Sequence, residues 1–256
     1  MAKYCLFALL ALAVCACQTQ QAQTANTSAE KKVNSMSDSL VNSNSSEQVE
    51  NIGEIVETFT DDLNIGVPRK NKIEISELTD VDQNIVEIKF YSLTTDKEWK
   101  LQQTITLDKD KFNGFNPKIK DFNNDGFKDL TYRPYVAGRG ANELQRLFIY
   151  DKKKDELIFI KNSDEYPNLK YNKRLNSLTA QRFYGNTTVT DFIKIDGDAL
   201  KEFAEVETLD KERTVSLIDK NGKKTILRKY TLNEEEPFER FINYNPLEYD
   251  NYDEEQ

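Results

Sequence analysis

Val86-Glu87-Ile88-Lys89-Phe90-Tyr91 places apolar and polar side chains in strict alternation. A strand points successive side chains to opposite faces, so a period of two marks one buried face and one wet face. The same alternation runs from Leu101 through Ile105 to Leu107, with Gln102, Thr104 and Thr106 between them. Further along, Leu147 to Tyr150 and Leu157 to Ile160 flank a charged turn at Asp151 to Glu156, which predicts a hairpin. Val189 to Ile195 and Leu200 to Val206 flank Asp196-Gly197-Asp198 in the same manner. Val215 to Asp219 and Thr225 to Tyr230 flank Lys220-Asn221-Gly222-Lys223, where the Asn-Gly pair predicts a type I′ turn with positive φ at both central residues. No stretch keeps helical spacing over three turns. The expectation is an all-β body: an antiparallel meander, arranged as a propeller-like or barrel-like sheet array.

The first fifty residues are of another kind. A basic start at Lys3 leads into the apolar run Leu6 to Val14, too short to span a bilayer and read as the core of a secretory signal. It ends in Val14-Cys15-Ala16-Cys17, which resembles a lipobox, with the small Ala16 immediately before the cysteine to be lipidated. Cys15 is the rival site, but the bulky Val14 precedes it. Cys5, Cys15 and Cys17 are the only cysteines, so the body carries no disulfide. Gln18 to Glu50 is rich in Gln, Ser, Asn and Thr and is too polar to bury a core, so it reads as a tether. The expected organisation is a signal at 1–16, a lipidated Cys17 and tether at 17–50, one β domain at 51–245 and an acidic tail at 246–256. A membrane-anchored lipoprotein follows, expected on the outer membrane facing the periplasm, since Gln18-Thr19-Gln20 carries no acidic export cluster.

Charge is concentrated at one end. The chain carries −9, and Glu234 to Gln256 holds nine carboxylates against Arg240, a net of −8. The body is therefore nearly neutral, without the clustered Lys and Arg that nucleic acid requires. An acidic terminus attracts cationic partners and also aids solubility.

Asp121-Phe122-Asn123-Asn124-Asp125-Gly126-Phe127-Lys128-Asp129-Leu130 carries the sharpest chemistry. Calcium takes six to eight oxygens. Side-chain oxygens stand at loop positions 1, 3, 5 and 9 from Asp121, Asn123, Asp125 and Asp129, and the Phe127 carbonyl can supply position 7. Gly126 at position 6 permits the sharp turn. An EF-hand needs a bidentate glutamate at position 12, where Tyr132 stands, and the flanks Lys118 to Lys120 and Leu130 to Tyr132 read as strands. The loop is thus the β-flanked version, similar to the calcium loops of integrin-type and VCBS repeats.

From Asp121 to about Glu207 the chain resembles a family of small Gram-negative lipoproteins that carry one such loop in a propeller-like β domain. The matching residues are Asp121 to Leu130, Gly138-Arg139-Gly140, Leu147 to Asp151, Tyr166-Pro167-Asn168 and Ser177 to Tyr184. The resemblance implies a calcium-stabilised β domain. It also implies a role like that of the best-understood member, a lysozyme-inhibitor-like immunity protein of a bacterium-killing type IV secretion system. Arg146-Leu147-Phe148 replaces the family's Tyr-Trp pair.

Enzymatic chemistry finds few candidates. There is no histidine, which removes Ser-His-Asp and Cys-His catalysis, and no Gly-rich phosphate loop is present. A glycan hydrolase needs only two carboxylates, and nothing in the sequence selects a pair. The expectation is a non-enzymatic binding module, its partner a cationic peptidoglycan hydrolase of the envelope. A structural or assembly lipoprotein and a carboxylate-dependent hydrolase are the alternatives. Arg139, between two glycines, is the candidate contact residue. Trp99, Phe112 and Phe115 are expected to serve the core.

Overall fold

The structure, a computed structural model, describes residues 53–79, 84–110, 113–233 and 239–250. The chain divides into two units, 1–48 and 49–256, and all described residues belong to the second. The expected lipobox with Cys17, the expected tether, Phe112 and residues 251–256 lie outside the described residues.

Every paired strand is antiparallel. The first sheet is the meander β1 (Glu54–Asp61), β2 (Asn71–Thr79), β3 (Asn84–Leu93) and β4 (Trp99–Lys109). Next come β5 (Lys118–Lys120) and β6 (Asp129–Tyr132), then a side hairpin of β7 (Val136–Ala137) and β8 (Asn142–Glu143). The chain returns as β9 (Arg146–Asp151) and β10 (Glu156–Ile160), completing a second sheet in the order β5-β6-β9-β10. A third, six-stranded meander runs through β11 (Lys170–Asn172), β12 (Ser177–Tyr184), β13 (Thr187–Asp196), β14 (Ala199–Leu209), β15 (Glu212–Ile218) and β16 (Lys224–Thr231). The hairpin of β17 (Phe241–Tyr244) and β18 (Leu247–Tyr249) closes the described chain. No sheet closes on itself, so the barrel-like alternative gives way to stacked open sheets.

Three apolar clusters hold these layers together. Ile73, Ile75, Val86, Ile88 and Phe90 from the first sheet meet Leu130, Tyr132, Phe148, Tyr150 and Leu157 from the second. On its other face the second sheet offers Leu147, Ile149 and Ile160 to Leu178, Ala180 and Ile193 of the third. The far face of the third sheet packs Phe192, Ala204, Val206 and Val215 against Phe241 of the hairpin. β9 is therefore buried on both faces, which is why Leu147 to Tyr150 is a continuous apolar run and not an alternating one. The Gln103 amide reaches from β4 to both backbone groups of Leu157 at 3.0 Å, tying the first two sheets along their edge.

β3 follows its alternation closely, with Val86, Ile88 and Phe90 fully buried. β4 does so only in part. Phe90 pairs with Gln103 but Tyr91 pairs with Leu101, so a bulge at Gln102 flips the parity and leaves Leu101 47% exposed. The turn after β15 also departs from expectation, because Gly222 has positive φ (78°) while Asn221 is absent from the positive-φ residues. Asp219 accepts from the backbone N–H of Asn221 and Lys223 at 2.8 and 2.9 Å, winding a three-residue turn with glycine at its left-handed position. The expected domain end at Asn245 falls inside the β17–β18 hairpin. Arg213, itself buried, donates to the Tyr249 hydroxyl at 2.9 Å and its guanidinium lies over the Phe241 and Tyr249 rings, fastening this segment to the third sheet. Phe115 is core, as expected, whereas Trp99 is half-buried beside Lys72.

Candidate functional site

The Asp121–Asp129 loop connects β5 to β6 and is wound on its own polar side chains. Asp121 accepts from the backbone N–H of Asn124 at 2.6 Å and of Gly126 at 3.0 Å. The Asn123 oxygen accepts from Asp125 N–H at 3.1 Å, and Asp125 accepts from Phe127 N–H at 2.9 Å. Gly126 takes φ +86°, a conformation most side chains avoid, at the sixth loop position as expected. The loop is flanked by strands on both sides. Tyr132 at position 12 is a core residue whose hydroxyl accepts from Arg146 at 2.9 Å.

Asp129 is turned beneath the loop and is fully buried. Its two oxygens accept from Phe122 N–H at 2.7 Å and from Tyr150 N–H at 2.9 Å, so it anchors the loop to the neighbouring strand β9. Burial pushes its carboxyl up to about 7; the two backbone bonds pull it down, and the charges of Asp125 and Asp121 push it up further. Phe127 packs its ring against Tyr150, with centroids 5.8 Å apart, and Lys152 lies over its other side. All four side chains accept backbone N–H bonds, each keeping a further lone pair of the kind a hard cation takes, but the carboxylates of Asp121, Asp125 and Asp129 are not drawn together around one point.

Arg139 sits at the apex of the side hairpin, in the turn Gly138–Gly140 between β7 and β8. Its own backbone is left-handed, φ 55° and ψ 33°, a conformation shared by eight other non-glycine residues among those described, Arg69 and Lys97 included. None of the three turn residues is buried. The turn is held from below by Asn142, whose amide exchanges two 3.0 Å hydrogen bonds with the backbone of Phe183 on β12. A side chain at Gly138 would meet that amide at 2.8 Å. Two tyrosines border this apparatus in the chain: Tyr135 just before β7, and Tyr184 just after Phe183, 57% exposed. Nothing in their local sequence singled them out, since the contact between β8 and the end of β12 is a tertiary fact.

A second carboxylate group was not legible in the sequence. Among the described residues, oxygens of Asp191, Glu202 and Glu205 lie within 4.8 Å of one another. Glu202 and Glu205 are three apart and would face opposite ways on a regular strand. The bulge opposite Phe192/Ile193 inserts Phe203 as an extra residue and turns both to the Asp191 face. Asp191 is fully buried and forked by Arg182, whose Nε lies 2.6 Å from Oδ2, and Lys224 reaches Glu205 at 2.6 Å. Burial pushes Asp191 up to about 7; Arg182 pulls it down, and Glu202 and Glu205 push it up. With two cations inside it, this group is an ion-pair network of the sheet.

No helix among the described residues is long and apolar enough to cross a membrane. No protein-family profile and no curated protein matches the chain. Among the solved structures to which the chain is similar is that of a Xanthomonas type IV secretion system related protein, at 13% identity and a TM-score of 0.42, over 69% of this chain and 98% of that one.

Proposed function

We propose that this protein is a lipid-anchored envelope module that binds another protein through the Arg139 turn. In this reading calcium in the Asp121–Asp129 loop stiffens the sheet behind the turn. The observation that carries it is the turn itself: an exposed arginine in a left-handed conformation, between two glycines, braced by a committed asparagine. Arginine is a residue type over-represented at interface hot spots. The loop's residues support calcium through the oxygen chemistry of their side chains. Together with the family resemblance read from Asp121 to Glu207, this favours a peptidoglycan hydrolase as partner and inhibition as outcome. Hydrolases that work on an anionic polymer are commonly basic, and the acidic terminus of this chain complements that charge.

The test is binding kinetics between the purified chain and a basic peptidoglycan hydrolase. Arg139→Ala is expected to speed dissociation about thirtyfold or more, with association little changed, because a hot-spot truncation costs about 2 kcal/mol or more. Unchanged dissociation would remove Arg139 from the interface.

A second reading, a structural or assembly lipoprotein, is favoured by one observation. β16 is exposed along its whole length at the edge of the third sheet, and Ile226 is 59% exposed there. Such an edge is a template for strand pairing with another chain.

A further inference from the structure

At one end of the first sheet three polar side chains lie on its core-facing side: Glu77 on β2, Asn84 at the start of β3 and Lys109 at the end of β4. The register puts them together. Asn84 stands opposite Lys109 on β4 and opposite Thr79 on β2. Glu77 is two residues from Thr79, hence on the same face, and it pairs with Val86 of the core. All three are buried, and the Lys109 side chain is at 0% exposure.

One oxygen joins the group. Glu77 Oε1 accepts from the Asn84 amide nitrogen at 2.6 Å and from Lys109 Nζ at 3.0 Å, so an amine and a carboxamide meet on a single carboxylate oxygen. Nζ also donates to the backbone carbonyls of Asp110 and Asn113, which fix it at the end of the strand pair. Among the described residues Asn84 Oδ1 has no donor. Stability alone is a weak reason for such a group, because desolvation offsets the attraction of a buried ion pair. Chemically it is a nucleophile, an electrophile and a proton carrier, held together in a site that excludes water.

We propose that Lys109 and Asn84 become joined by an intramolecular isopeptide bond. Nζ attacks Cγ of Asn84; the Cγ–Nζ bond forms and the Cγ–Nδ2 bond breaks. The Lys109 ammonium gives up two protons, which pass through Glu77 to the leaving nitrogen. That nitrogen departs as ammonium and Glu77 ends ionised as it began, so atoms and charge balance without an oxidant or a co-reactant. The product is a neutral amide whose remaining N–H faces Glu77. It staples β3 to β4 in a body whose sequence offers no disulfide, since every cysteine precedes residue 18. The bond needs neither calcium nor a partner, so its failure would leave the hydrolase reading intact.

The experiment is tryptic digestion of the denatured full-length chain, read by mass spectrometry. An amidated Lys109 resists trypsin, so residues 73–89 and 101–111 are expected as one joined species, lighter than the two peptides together by one ammonia. Glu77→Gln keeps the shape of the side chain but cannot carry the protons. It is expected to release the two regions as separate peptides, with cleavage restored after Lys109, from a chain that still melts cooperatively. Lys109→Arg is expected to abolish the joined species as well. Separate peptides from the parent chain overturn the proposal. Ammonia lost from residues 73–89 alone marks a cyclised Asn84 and overturns the link. A joined species lighter by one water makes Glu77 the acyl partner and overturns the role of Asn84, and a joined species undiminished in Glu77→Gln overturns the role of Glu77.

Discussion

At the scale of single residues, Asp191 faces Glu205 across paired strands, both buried. Like charges directly opposite destabilise a sheet, and here Arg182 and Lys224 offset them. The folded chain holds the Asp191 proton up to about 7, whereas an unfolded aspartate releases it near about 3.9. Between those values the folded state binds more protons than the unfolded one, so this group's contribution to stability falls as pH rises through the window. Asp191→Asn cannot ionise. Its melting temperature, read in chelator from about pH 5 to about pH 7, is expected to decline less than that of the parent. Asp129 shifts in the same direction and is present in both proteins, so it drops out of the comparison. Parallel declines would show that Asp191 stays ionised throughout.

At the scale of elements, the Asp121–Asp129 loop is the piece whose behaviour a ligand should change most. A ligand that binds only the native state stabilises it by about 2.7 kcal/mol at a hundredfold excess over Kd. Calcium is accordingly expected to raise the melting temperature over chelator, and Asp121→Ala or Asp125→Ala to abolish the difference. Identical melts with and without chelator would reduce the loop to a plain turn. This loop was legible in the sequence because most of its pattern is local: the oxygens of Asp121, Asn123 and Asp125 serve backbone groups two to five residues away, and Asp129 reaches further, to Phe122 and Tyr150. β3 was legible for the same reason. The exposure of Leu101 and the meeting of Glu202 with Glu205 were not, since each depends on one extra residue in a strand, and a bulge leaves no mark in alternation alone. The Asn221-Gly222 turn was placed correctly but its type was not, because the Asp219 carboxylate two residues earlier decides it.

At the scale of the whole molecule, the stack of open sheets offers a rigid body at the end of a long polar N-terminal segment, and the lipobox proposes how that segment is held. Cys17→Ser is expected to move the protein from the membrane fraction to the soluble envelope fraction, and Cys15→Ser to leave it where it was. Release by the Cys15 change instead would relocate the lipidated residue. The acidic terminus can be tested only beyond β18, since truncation at Asn245 would cut a hairpin that Arg213 holds to the third sheet. The central claim, that this body restrains a partner enzyme, is met most directly by cell-wall lysis with basic peptidoglycan hydrolases, including one encoded beside this gene, in the presence and absence of the purified protein. Expected is a slowed lysis that saturates with protein and weakens in Arg139→Ala. Lysis at full rate for every hydrolase at micromolar protein would contradict inhibition and leave the structural role of the exposed β16 edge in its place.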